Sequence, residues 1–130
     1  MKRFIIALSC LLALGAASGA LAAGTLSGTY RTKIHTSALG GAVNGTWTLA
    51  FKSGAYTVTD NGAVVIHGRY TITGDKITLR DKSGKDACPG SGTYKFALTA
   101  NKLKFTRVRD PKPACVGRVT VLAGKFTKVA

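Results

Sequence analysis

The sequence predicts an all-β fold: a single-domain, up-and-down antiparallel meander closed into a small, roughly eight-stranded barrel. Three observations predict it. From Gly24 onward the chain is a series of short alternating runs rich in Thr, Val, Ile and aromatics, with no sustained helical period. The connections between most runs are short and made of turn residues, so successive strands must be antiparallel neighbours. Alternation also gathers apolar side chains on one face of each strand and cations on the other. A one-sided apolar face repeated over about eight strands is buried most simply by closing the sheet, which also removes its edges. A membrane-spanning barrel needs the reverse pattern, apolar outside and polar within, and is excluded on that ground.

Residues 1–23 read as a signal peptide. Lys2 and Arg3 precede an apolar run of about a dozen residues, and small residues end in Ala20-Leu21-Ala22. That run is shorter than the ~20 residues a membrane span requires. Cys10 lacks the Leu three residues upstream that lipidation favours, since Ala7 stands there. The expected mature protein, residues 24–130, is one domain in a periplasmic or secreted location. Without Lys2 and Arg3 it carries 17 cations against five Asp and no Glu, a net charge of +12. Such a surface attracts anionic polymers or membrane surfaces.

The runs that read as strands are 25–35, 45–52, 55–60, 63–73, 76–81, 92–99, 102–109 and 117–129, the last with a break near Gly124. Tight turns join most of them: "KSGA" (52–55), "TDNGA" (59–63), "TGDK" (73–76) and "TANK" (99–102). Two connections are long, "TSALGGAVNG" (36–45) and "DKSGKDACPGSG" (81–92). The inward face collects, among others, Tyr30, Trp47, Phe51, Tyr56, Val58, Val64, Ile66, Tyr70, Leu79, Tyr94, Phe96 and Phe105. The outward face carries Arg31, Lys33, His67, Arg69, Lys76, Arg80, Lys95, Lys102 and Lys104. A weak repeat, Gly-x-aromatic, recurs at Gly28 to Tyr30, Gly45 to Trp47, Gly68 to Tyr70 and Gly92 to Tyr94. In it the glycine allows a close approach and the aromatic fills the interior.

Removing the leader leaves two cysteines, Cys88 and Cys115, an even number in an oxidising compartment, so a single disulfide is expected. No Cys-x-x-Cys motif is present, and the bridge reads as a staple worth ~3 kcal/mol rather than a redox centre.

These residues resemble the lipocalin-like, or calycin, group, and among them the short bacterial secreted barrels that carry "GTW", "GTY" and two late cysteines. "GTY" stands at 28–30 and the Gly-x-Trp at Gly45 to Trp47, on the second strand rather than the first. The resemblance implies a cavity for a small apolar molecule, a first loop acting as a lid, here "LGGAVNG" (39–45), and a late arginine closing the barrel base, for which Arg107 and Arg118 both stand available.

Sites for catalysis are poorly supplied. All five aspartates (Asp60, Asp75, Asp81, Asp86 and Asp110) fall at turns or in loops and read as turn formers. No Gly-x-Ser-x-Gly occurs, the two histidines (His35 and His67) lack partners at ligand spacing, and no glycine-rich phosphate cradle is present. The expectation is a non-enzyme with no cofactor and no metal. Its first expected role is to carry or scavenge a small apolar or amphipathic ligand, held by Tyr30, Trp47, Tyr56, Tyr70, Tyr94, Phe96 and Arg107 at the barrel interior and mouth. Its second is to bind an anionic envelope polymer such as lipopolysaccharide, polysaccharide or DNA through Lys95, Lys102, Lys104, Arg109, Lys112 and Arg118. Specific nucleic-acid recognition is disfavoured, because the aromatics alternate onto the face opposite the cations. A third expected role is an inhibitor or protein-interaction module using the loops 81–92 and 109–118.

Overall fold

The structure, a computed structural model, describes residues 26–130. The signal peptide and Cys10 lie outside the described residues. Eight strands form one closed antiparallel barrel in chain order: β1 (Gly28–Ile34), β2 (Gly45–Lys52), β3 (Ala55–Asp60), β4 (Ala63–Thr73), β5 (Lys76–Ser83), β6 (Ser91–Thr99), β7 (Lys102–Arg109) and β8 (Phe126–Lys128). A helix, α1 (Val116–Leu122), stands between β7 and β8. Four strands, β2, β3, β4 and β7, have the bounds read from the sequence, because two-residue turns at 53–54, 61–62, 74–75 and 100–101 mark them sharply.

The meander gives the barrel two unlike ends. One, the hairpin end, carries the tight turns after β2, β4 and β6 and both ends of the described chain. The opposite, loop end carries the connection 35–44, the cysteine loop 84–90 and the segment 110–125. At the hairpin end Phe51 packs edge-on against Tyr30 and Tyr70, with ring centroids 6.2 and 5.3 Å apart. The Tyr70 hydroxyl donates to the Leu26 carbonyl at 2.9 Å, and Leu26 is itself buried, so this end is plugged.

The segment 117–129 departs from the expected strand. Residues 116–122 are helical and only Phe126–Lys128 pair as a strand, joining β7 at Leu103↔Phe126 and β1 at Tyr30↔Lys128. The β-branched content of "VGRVTVL" favours a strand, yet the side chains that need burial are Cys115, Arg118, Val121 and Leu122. Their spacing of three, three and one puts them on one helical face, whereas a strand would send Arg118 and Val121 to opposite faces.

A second correction falls on β4. Val64 is exposed and Val65 is buried in its place, because the β3–β4 register slips between Val58 and Thr59 and the bulge turns two successive residues, Val65 and Ile66, inward.

Candidate functional site: a cavity at the loop end

A cavity of ≈ 440 Å³ opens at the loop end. Its floor is apolar, formed by Trp47, Leu49, Val58, Ile66 and Leu79 from the strands and by Val121 and Leu122 from α1. Its rim comes from Leu39, Ala42 and Val43 of the first loop, Lys85, Asp86 and Ala87 of the cysteine loop, and Ala114 before the helix. The first loop is tied to the floor, since the Trp47 indole N–H donates to the Val43 carbonyl at 2.8 Å. Exposed apolar residues gather at this end as well: Leu39, Val64, Val108 and Val116 all stand on its loops or strand ends.

One wall of the cavity is a buried polar network centred on Arg118. The guanidinium donates from Nε and Nη2 to the two carboxylate oxygens of Asp110 at 2.7 and 2.8 Å. It reaches the Gly90 carbonyl at 3.4 Å, and its Nη1 lies 3.7 Å from Asp81. Asp81 accepts from the Tyr56 hydroxyl and from the Cys88 backbone N–H, and Asp110 accepts from the Tyr94 hydroxyl. All three charged side chains are almost wholly buried, with 6 % of Arg118, 1 % of Asp81 and none of Asp110 exposed.

Burial on its own would raise the Asp110 carboxyl, but donation from Arg118 and Tyr94 outweighs it and holds the group below the usual carboxylate range. Burial raises the Tyr56 and Tyr94 hydroxyls, and their bonds to Asp81 and Asp110 raise them further, so both stay protonated. Burial would lower Arg118, yet the carboxylates around it win and keep it charged.

Two glycines of the Gly-x-aromatic repeat make this network possible. A side chain on Gly68 would fall inside the Tyr56 ring, which crosses β4 there to reach Asp81 on β5. A side chain on Gly92 would meet Asp110 Oδ2 at 2.5 Å and Arg118 Nη2 at 3.0 Å. The disulfide Cys88–Cys115, with Cα atoms 5.2 Å apart, ties the cysteine loop to the start of the helical segment beside these contacts. A covalent staple and the Arg118 contacts therefore hold the same two pieces of chain together, the cysteine loop and the helical segment.

These contacts correct several expectations about individual residues. Asp81 and Asp110 are network members and not turn formers, since each accepts from a tyrosine on another strand. Arg118 does not belong to an exposed anion-binding patch, because its guanidinium is spent on Asp110, Asp81 and Gly90. Arg107 is exposed and takes no part in lining the cavity. Of the expected ligand contacts, Trp47 and Tyr56 line the cavity. Tyr30 and Tyr70 instead plug the hairpin end, Tyr94 serves Asp110, and Phe96 lies opposite Phe105 toward the hairpin end. Asp60, Leu79, Val121 and Leu122 line the cavity and were not legible as site residues. The helical spacing of 115, 118, 121 and 122 was the signal available for the last two.

The cations Lys95, Lys102, Lys104, Arg109 and Lys112 are exposed as expected, spread along the length of β6 and β7 and beyond. Among the described residues both ion pairs belong to Arg118, so the outer wall is unneutralised. Across it Arg69 faces Arg80 and Lys76 faces Lys95 on neighbouring strands. Among the described residues no group of three or more His, Cys, Asp or Glu is placed to hold a metal ion.

In comparisons with protein-family models, curated proteins and solved structures, nothing matches this chain. The geometry itself defines the fold: a closed, eight-stranded, antiparallel barrel, consistent with a calycin-like one, in which the Cys88–Cys115 disulfide fits an oxidising compartment.

Proposed function

We propose that this protein is an exported, non-enzymatic, lipocalin-like carrier or scavenger of a small amphipathic molecule, working in the periplasm or outside the cell. The observation that carries the reading is the cavity of ≈ 440 Å³, floored by apolar side chains at one end of a barrel whose other end is plugged by aromatics. Binding sites for small molecules are concave, mostly apolar and supplied with a few polar groups, and this volume falls in their range. The apolar residues on the loop-end rim give an apolar ligand a path inward, and the first loop lines the opening through Leu39, Ala42 and Val43.

Native mass spectrometry of the mature protein, purified gently with the disulfide intact, tests the reading. A reproducible added mass that disappears on denaturation is expected. Trp47, the only tryptophan, lines the cavity, so its fluorescence reports any occupant directly. A bare mass, together with a Trp47 signal indifferent to amphipaths of every charge, would reject the carrier.

A second reading, a cationic module for an anionic envelope polymer, is favoured by the Arg69/Arg80 and Lys76/Lys95 pairs. Like charges directly opposite each other are destabilising, and an anionic partner would relieve them. Its mark is binding that weakens steeply as salt rises.

A further inference from the structure

Four of the five aspartates lie at the loop end of a strongly basic molecule, and three of them, Asp60, Asp81 and Asp86, line the cavity. Two of the loop-end four are supplied with donors. Asp110 takes Arg118 and Tyr94, and Asp81 takes Tyr56 and the Cys88 N–H. Asp86 is exposed in the cysteine loop beside Lys85. Asp60 differs from all of these. It is the last residue of β3, on the same inward parity as Tyr56 and Val58, and its Oδ1 is buried with no hydrogen-bond partner among the described residues. A buried carboxylate oxygen without a donor is costly, and folded proteins rarely leave one so unless something else completes it.

The neighbour of Asp60 points to the same missing group. Asp60 and Trp47 are cross-strand partners of β2 and β3, and both line the cavity. A carboxylate beside an indole is a site for a cation, the first through charge and hydrogen bonding and the second through the negative face of its ring. The cationic side chains lining the cavity do not fill this role: the Arg118 guanidinium is committed to Asp110 and Gly90, and Lys85 is exposed on the rim.

We propose that the cavity takes an amphipath with a protonated amine head, the ammonium seated between Asp60 and Trp47 and the apolar body on Leu49, Val58, Ile66 and Leu79. This assignment rests on the carrier reading and names the chemistry of its cargo. It also runs against the overall field: a molecule of this net positive charge repels amines and attracts carboxylates at long range, so a preference for amines must arise locally.

The test is a Trp47 fluorescence titration of the mature, disulfide-intact protein with decylamine, decanol and decanoate, below their micelle or solubility limits and at 0.15 M salt to screen the outer wall. Decylamine is expected to bind about tenfold or more tighter than the other two. Asp60→Asn is expected to bring decylamine to within about threefold of decanol measured on the same variant. Equal binding of all three, or tighter binding of decanoate, overturns the amine head and leaves the carrier standing. A folded Asp60→Asn that keeps the wild-type preference overturns the amine head in the same way. No Trp47 response to any of the three overturns carrier and cargo together. Should Asp60→Asn fail to fold, the wild-type series decides alone.

Discussion

At the hairpin end of the barrel, Leu26, Tyr30, Phe51 and Tyr70 interlock, and the polar tips of the two tyrosines are spent on backbone carbonyls. At the loop end the corresponding volume is left open, and its wall is made of buried charges, two glycine slots and a disulfide. The same eight strands thus use two solutions to the problem of closing a barrel. Aromatic filling needs no partner beyond shape, whereas an open end must be held by directional contacts and covalent bonds because apolar burial there is incomplete. Aromatic packing is concentrated at one end and directional polar and covalent contacts at the other.

The largest way to break the loop end is to remove its central cation. Arg118→Leu leaves Asp110 and Asp81 buried without their shared partner and is expected to cost about 3–5 kcal/mol in urea unfolding. That cost should shrink on acidification, since a protonated carboxyl needs no counter-charge. A cost that does not change with pH would mean that Arg118 acts by packing alone. Removing the staple in the double variant Cys88→Ser, Cys115→Ser is expected to cost about 2–4 kcal/mol. Hydrogen exchange should then quicken in residues 84–90 and 110–125 while β1 and β2 near Phe51 keep their protection. Uniform loss of protection at both ends would refute the division.

The hairpin end was legible in the sequence because its signals are local. Strict alternation placed Tyr30, Phe51 and Tyr70 inside, and the tight turns at 53–54, 74–75 and 100–101 fixed the strand bounds there. The loop end was legible in its disulfide, in the Asn61-Gly62 turn and in Trp47 and Tyr56 of the cavity lining, but not in the rest of its wall. Its helix carries a β-rich composition, and the pattern that specifies it includes Arg118, which reads as outward unless its partners Asp81 and Asp110 are known. The bulge that exchanges Val64 for Val65 depends on register between strands, which alternation along one strand cannot report. Asp60 likewise reads as a turn former until the cavity beside it is seen. Local chemistry wrote one end into the sequence, and long-range pairing wrote the other.

Acid should separate the ends by a smaller margin. The folded-state carboxyl of Asp110 lies below its ordinary value of about 3.9. Its contribution to stability is therefore fully present above about pH 4 and is lost as pH falls through the folded value. Asp110→Asn should remove that acid-dependent part of the unfolding curve, measured by circular dichroism between pH 6 and pH 2. An unchanged slope would assign the acid sensitivity elsewhere.

Added bulk gives the next contrast. Ile77 is fully buried in the packed wall, so Ile77→Phe is expected to cost about 1–3 kcal/mol by overpacking. Val58→Leu projects into the cavity, so it should fall within about 0.5 kcal/mol of wild type and weaken the binding of amphipaths read at Trp47. Equal costs at the two positions would show that the loop-end space is not open.

The smallest expected effect lies on the outer wall, where the barrel ends no longer matter and only charge does. Lys95 faces Lys76 across β5 and β6 with no acid paired to either, so Lys95→Glu converts a repulsion into an attraction. A cross-strand pair of this kind contributes about 0.2–1 kcal/mol, and the gain should be visible in urea unfolding at low salt and shrink markedly by 1 M salt. The result also bears on why the wall is basic. If replacing one lysine makes the barrel more stable, then the cationic wall is maintained at a cost to folding, and a charge-dependent role for it, alongside the cavity, gains a physical reason. If the substitution changes nothing at any salt concentration, the cations are far enough into solvent to be screened, and the wall serves only to keep a protein of high net charge soluble.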